Sequence, residues 1–202
     1  MSIKKRKYKS YNDYLAHQSD KLTKGISKRM DKFTLDKFNR RVKSFKKRFK
    51  EIKKYIVGID VLCLGARLGE EVAALRAMGF DSCLGIDINP GFNNNYVVKG
   101  DFNNMPFDDE SFETIFTNSI DHAWDLKVLS KEMARVIVPG GRLILEISHN
   151  KKGQKYLVKS RSKYESLMWD SPKEISKYFE EFKLVKKFRS RYKRLINVFD
   201  KK

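Results

Sequence analysis

The sequence offers little that would staple a fold covalently or hold it in a membrane. Its 202 residues contain only two cysteines, Cys63 and Cys83, each inside an apolar run that reads as a core strand. A free cysteine in such a place behaves as a small hydrophobe, so a disulfide framework is excluded and no metal site is expected. No apolar run approaches the roughly 20 residues that a membrane span needs. The basic opening MSIKKRKYKSY has no apolar segment or small-residue cleavage site behind it, so it does not read as a secretory signal and a cytoplasmic protein is expected.

Acidic residues are scarce at the two ends. The formal net charge of +19 resolves into 20 Lys+Arg against 5 acids over residues 1–54, 7 against 14 over 55–150, and 17 against 6 over 151–202. Clustered Lys and Arg release counterions from a polyanion on binding, so basic ends around an acidic middle suit nucleic acid or another polyanion. A Lys-rich solvated face is the plainer alternative.

Apolar residues Phe33, Phe38, Val42, Phe45, Phe49, Ile52 and Ile56 recur at three to five residue intervals, which predicts a basic amphipathic helix over 31–56. From Asp60 the pattern becomes short apolar runs separated by helical segments, as in a parallel sheet with crossover helices. Strands are expected at 61–64, 82–86, 96–98, 114–117 and 142–147, with helices at 70–78, closed by Gly79, and 126–136. After a polar insert near 150–170, Ser171-Pro172-Lys173-Glu174 announces a short helix toward Phe179. The stretches 182–188 and 192–199 have strand character and suggest an antiparallel terminal hairpin. The expected organisation is a basic helical extension over 1–56 and an α/β domain over 57–202.

The segment Val61-Leu62-Cys63-Leu64-Gly65-Ala66-Arg67-Leu68-Gly69-Glu70 reads as a strand, a glycine-containing turn and a helix start, where a bare backbone can approach a ligand. About twenty residues on, Leu84-Gly85-Ile86-Asp87 ends a strand on a carboxylate, the offset at which an acid receives ribose hydroxyls in nucleotide-binding folds. Lys99-Gly100-Asp101-Phe102 sets an acid and an aromatic at the end of the next strand. The block from Pro106 through Phe112 leads into Asn118-Ser119-Ile120-Asp121-His122, and Val138-Pro139-Gly140-Gly141-Arg142 follows.

In this order and spacing the blocks resemble the class I S-adenosylmethionine (SAM) dependent methyltransferases. The resemblance covers Asp60 to Ser148 and implies a Rossmann-like, mostly parallel sheet. It implies that Gly65, Ala66, Arg67 and Gly69 lie along the methionine part of SAM, that Asp87 takes the ribose hydroxyls and that Ile88 borders the adenine. It also implies Asp101 and Phe102 at the adenine, and Asn118, Ser119 and Ile120 beneath the sulfonium. An N-terminal helix containing Tyr11 to Gln18 resembles the lids of this family, with His17 and Gln18 facing the pocket.

The sequence departs from the family in three places. Cys63 and Arg67 stand where an acid and a glycine are usual, and Arg67 cannot take a positive φ cheaply. The link from Asp87 to Tyr96 is too short for the usual crossover helix. In-line methyl transfer depends on alignment, so a base is optional. Should the acceptor need deprotonation, Asp121 and His122 are the candidate catalytic pair, with helix capping and core packing as their plainer roles. The expected function is methyl transfer from SAM to a small molecule, a glycan or RNA. The alternative is a non-catalytic nucleic-acid-binding or assembly protein on the same fold.

Overall fold

The computed structural model describes residues 3–30, 35–91, 94–148, 164–169 and 172–202. The chain begins with a two-residue strand, β1 (Lys4–Lys5), and the helices α1 (Tyr11–Met30) and α2 (Leu35–Ile52). The alternating region supplies β2 (Val61–Leu64), α3 (Glu70–Arg76), β3 (Leu84–Asp87), β4 (Val97–Lys99), β5 (Phe112–Thr117), α4 (Leu126–Val136) and β6 (Ile137–Ser148). The last part contains β7 (Leu167–Met168), a 3-10 turn over Pro172–Tyr178, and the strands β8 (Phe182–Arg189) and β9 (Arg194–Lys201).

Seven strands form one sheet in the order β4-β3-β2-β5-β6-β9-β8. The pairs from β4 to β6 are parallel, whereas β9 runs antiparallel to both β6 and β8. This is the Rossmann-like sheet with a terminal hairpin that the motifs imply. The connections reverse direction between β2 and β5, and open α/β sheets bind ligands beyond the carboxyl ends of strands at such a switch point.

Both faces of the sheet are covered. One buried cluster joins the sheet to α4 and the 172–178 turn through residues such as Leu129, Met133, Ile175 and Phe179. The other joins it to α2 and α3 through Phe45, Phe49, Val72 and Leu75. Phe45, Phe49 and Ile52 recur at helical spacing, so the apolar stripe of α2 lies inward, and the Phe49 ring meets Phe116 edge-on with centroids 4.9 Å apart. Burial of each such ring stabilises the fold by about 1.5–3 kcal/mol.

Several expected boundaries move. The helix expected over 31–56 is described from Leu35 and stops at Ile52, with a 3-10 turn over Lys53–Tyr55 after it; 31–34 lie outside the described residues. Strand β6 starts at Ile137 rather than Arg142, because Ile137 pairs with Phe112 and a register shift absorbs the Pro139-Gly140-Gly141 corner. Pro172–Tyr178 forms a 3-10 rather than an α-helix. Its threefold period puts Ile175 and Tyr178 on one side, against the core. As the short link demands, no helix follows β3 among the described residues. Most of the insert near 150–170, including Tyr156, lies outside the described residues. No described helix is long and apolar enough to cross a membrane.

Candidate active site

The switch point carries a cleft of about 470 Å³, open mouth included, lined by Tyr14, Gln18, Gly65, Arg67, Asp87, Ile88, Phe102, Ser119 and His122.

Its floor is the turn after β2. The N–H groups of Gly65 and Ala66 donate to the Ile86 carbonyl at 2.9 and 3.2 Å, which curls the turn over the end of β3. Gly65 has φ +69, and a Cβ there would stand 2.7 Å from the Ser119 Cβ. Only a bare Cα therefore lets the ends of β2 and β5 come together. Arg67 adopts φ +48, a left-handed conformation unusual for a residue with a side chain. Two side chains hold it there: the Arg67 N–H donates to Asp87 at 3.0 Å, and Asn94 donates to the Arg67 carbonyl at 3.2 Å. Asp87 also accepts the N–H of Asn89 at 2.9 Å, which fixes its carboxylate at the end of β3.

The roof is α1. Tyr14 is fully buried and donates to the His122 carbonyl at 3.0 Å, while Asn103 donates to the Tyr14 hydroxyl at 2.9 Å. Gln18, 8% exposed, donates to the Tyr164 carbonyl at 2.8 Å and to Ser166 at 2.9 Å. Tyr11, Tyr14 and Trp124 pack as a ring cluster with centroids 5.2 to 5.9 Å apart where they join Tyr8 or one another. Burial, with the nearby Asp101 carboxylate, raises the hydroxyl pKa of both Tyr11 and Tyr14, so both remain protonated donors.

Not every expected site residue reaches the cleft. Gly65, Arg67, Asp87, Ile88, Phe102, Ser119 and His122 line it. Ala66 is buried over Gly85, and Gly69 makes room for the Tyr96 ring, whose Cβ would lie 2.4 Å from an added methyl. Ile120 is in the core, and Asn118 accepts from the Ser119 hydroxyl at 3.0 Å. Asp101 is engaged by the Tyr11 hydroxyl and by the backbone and side-chain N–H groups of Asn103 at 2.9 and 2.8 Å. His17 stacks on Tyr164 with centroids 5.2 Å apart, and Trp169 is in the core.

The expected catalytic pair is adjacent in space, with His122 Nε2 3.9 Å from the Asp121 carboxylate. His122 Nδ1 lies 3.0 Å from the Tyr164 carbonyl. A carbonyl only accepts, so the proton of the neutral ring sits on Nδ1 and the basic nitrogen is Nε2. Helix α4 is capped by Asp125, which accepts the Lys127 N–H at 2.8 Å, so Asp121 is not its cap.

Tyr14 and Asn103 went unnoticed in the sequence. Tyr11, Tyr14 and Gln18 do share a helix face by spacing, but their destination depends on partners about a hundred residues away. The donor set suits an adenosyl amino acid: an acid for hydroxyl groups, the apolar faces of Ile88 and Phe102 for a flat ring, and a cation for a carboxylate.

Residues 62–145 match a family described as a methyltransferase domain. The fold is similar to a SAM-dependent methyltransferase of Thermotoga maritima, at 18% identity over 88% of this chain and 98% of that one, with TM-score 0.63. It is similar to one from Aquifex aeolicus, at 16% identity over 75% and 87%, with TM-score 0.56. A third match is a chain of the complex between the Haloferax volcanii Trm112 methyltransferase activator and a methyltransferase, at 18% identity over 94% and 97%, with TM-score 0.57. At these identities the likeness to solved structures is one of fold.

Proposed function

We propose, from the match of residues 62–145 to a methyltransferase domain and the fold shared with SAM-dependent methyltransferases, that the chain transfers a methyl group from SAM to a small molecule, a glycan or RNA. The observation that carries this is the convergence of Asp87, Phe102, Arg67 and His122 on one cleft at the switch point of the sheet.

SAM, when bound, supplies an electrophilic methyl on a sulfonium. The protein's own contribution is alignment and exclusion of water. Asp87, oriented by two backbone N–H groups, holds the ribose hydroxyls, while Ile88 and Phe102 flank the adenine. The bare Cα of Gly65 and the short side chain of Ser119 leave room for the methionyl part. Roof residues Tyr14 and Gln18 keep water out. His122 takes the acceptor's proton on Nε2, with its ring held by the Tyr164 carbonyl and Asp121 beside it. Asp101, Ala66, Gly69, Asn118 and Ile120 shape the cleft from behind rather than touching the cofactor.

Calorimetric titration of the full chain with SAM tests the reading: saturable binding is expected, and no heat or thermal stabilisation at millimolar SAM sinks it. His122→Ala should then leave SAM affinity intact and lower the transfer rate by about 10²- to 10⁴-fold.

A second reading, binding of nucleic acid, draws on the surface of α2 and the β8–β9 hairpin. Residues 35–54 hold 10 Lys+Arg and 2 acids, and residues 182–194 hold 7 and none. Fluorescence anisotropy of labelled single-stranded RNA across a salt series tests it. A steep loss of affinity with salt is expected, and a flat response leaves the basic ends merely solvated.

A further inference from the structure

We infer that Arg67 is a carboxylate-recognition residue: its guanidinium takes the carboxylate at the amino-acid end of the cofactor. The inference rests on the methyltransferase reading and adds a specificity determinant to it.

Three observations carry it. First, Arg67 occupies a position with φ +48, where a glycine would fit without strain. A side chain kept in a strained backbone conformation at a ligand cleft points to use of that side chain. Second, the backbone is held on both sides, by Asp87 at the N–H and Asn94 at the carbonyl, so the base of the side chain is fixed rather than frayed. Third, Arg67 lines the cleft half-buried, and among the described residues its guanidinium has no hydrogen-bond or ion-pair partner.

Elsewhere in the molecule arginines are engaged: Arg41 with Glu70, Arg48 and Arg194 with Glu146, Arg135 with Glu132 and Asp109, and Arg142 with Asp200. A planar fork of donors matches a carboxylate in two places at once, which an ammonium does not. Because the Arg67 N–H is bonded to Asp87, the residue proposed to receive the ribose, the side chain starts beside the nucleoside position and lines the same cleft.

The test compares S-adenosylhomocysteine with its decarboxylated analogue, which keeps the adenosine, the thioether and the amine but lacks the carboxylate. Dissociation constants are measured calorimetrically on the full chain and on Arg67→Gly and Arg67→Lys. The parent should bind S-adenosylhomocysteine at least 10-fold more tightly than the decarboxylated compound. Arg67→Gly should lose that preference, weakening S-adenosylhomocysteine 10-fold or more while the decarboxylated compound changes less than 2-fold. Glycine suits the backbone conformation, so its Tm should be unchanged or higher, which separates lost recognition from lost folding. Arg67→Lys should recover part of the preference.

Equal weakening of both compounds in Arg67→Gly, or a preference that survives it, overturns the inference while leaving the methyltransferase reading in place. If the parent binds neither compound, that reading falls and the inference with it.

Discussion

The two halves of the sheet are built differently. On the β4-β3-β2 side the strands are three or four residues long. Their ends are shaped by Gly65, Arg67, Gly69 and Gly91, all at positive φ. Side chains hold the turns there: Asp87, Asn89 and Asn94 each bond backbone groups within the same loop cluster. On the β6-β9-β8 side the strands run twelve, eight and eight residues, in near-continuous antiparallel register. Ion pairs clamp that side to α2, Arg48 on Glu146 and Arg191 on Glu51 at 2.5 Å, and Arg194 of β9 adds a second partner to Glu146 within the sheet. The half that carries the cleft relies on a few specific turn bonds, while the other rests on a long continuous ladder.

Removal of Glu146 breaks this comparison hardest. Its carboxylate is 4% exposed and answers Arg48, which is itself mostly covered. Glu146→Ala strands a buried guanidinium and should cost about 3–5 kcal/mol, a Tm drop on the order of 10 °C by calorimetry. SAM affinity of the folded protein should be unchanged. A variant that loses SAM binding at temperatures where it stays folded would show that the halves are coupled.

Asp87→Ala acts on the other side. It removes the acceptor for the Arg67 and Asn89 N–H groups and the acid proposed above for the ribose. The expected loss in SAM affinity is about 100-fold, near 3 kcal/mol, with a smaller loss of stability of about 1–2 kcal/mol. A Tm loss as large as that of Glu146→Ala would mean that the turns also bear the stability of the sheet.

Glu71 sits where α3 meets α2, between the two halves. It is buried; burial, and next the neighbouring Glu70, raise its pKa from 4.5 to about 7, with Arg41 and Arg48 pulling the other way. Between those two values the unfolded chain has lost the proton and the folded chain keeps it. The stabilisation is therefore complete below 4.5, falls as pH rises toward 7, and is level above that. Glu71→Gln should flatten this slope and exceed the parent's stability at pH 8 by about 1–3 kcal/mol. Melting curves at pH 5 and pH 8 decide it: identical pH dependence in parent and variant would assign the slope to other groups.

The sequence made the site-bearing half legible where local chemistry dictates geometry. Gly65, Asp87 and Phe102 were readable because a tight turn, a strand-end acid and an aromatic announce themselves within a few residues. The missing helix after β3 followed from chain length alone, and α4 from its amphipathic period. What escaped depends on distant partners. Nothing near Asp101 reveals that Tyr11, 90 residues earlier, occupies it. Nothing near Arg142 reveals that its strand starts five residues sooner, since that start exists only through pairing with β5. Cys63, one of the two departures in the glycine turn, lies fully inside the sheet with its Sγ 3.9 Å from that of Cys83. Burial raises its thiol pKa and keeps it an inert hydrophobe.

The tether of the roof has a consequence in time. Lys4 and Lys5 of β1 pair with Met168 and Leu167 of β7, and the Arg6 N–H bonds to the Ser166 carbonyl at 2.8 Å. Residues 4–6 must therefore wait for residues 166–168 before α1 can settle over the cleft. Contacts of such long sequence separation form slowly. Until residues 166–168 are in place, the aromatic face of α1 lacks its tether and the cleft lacks its roof.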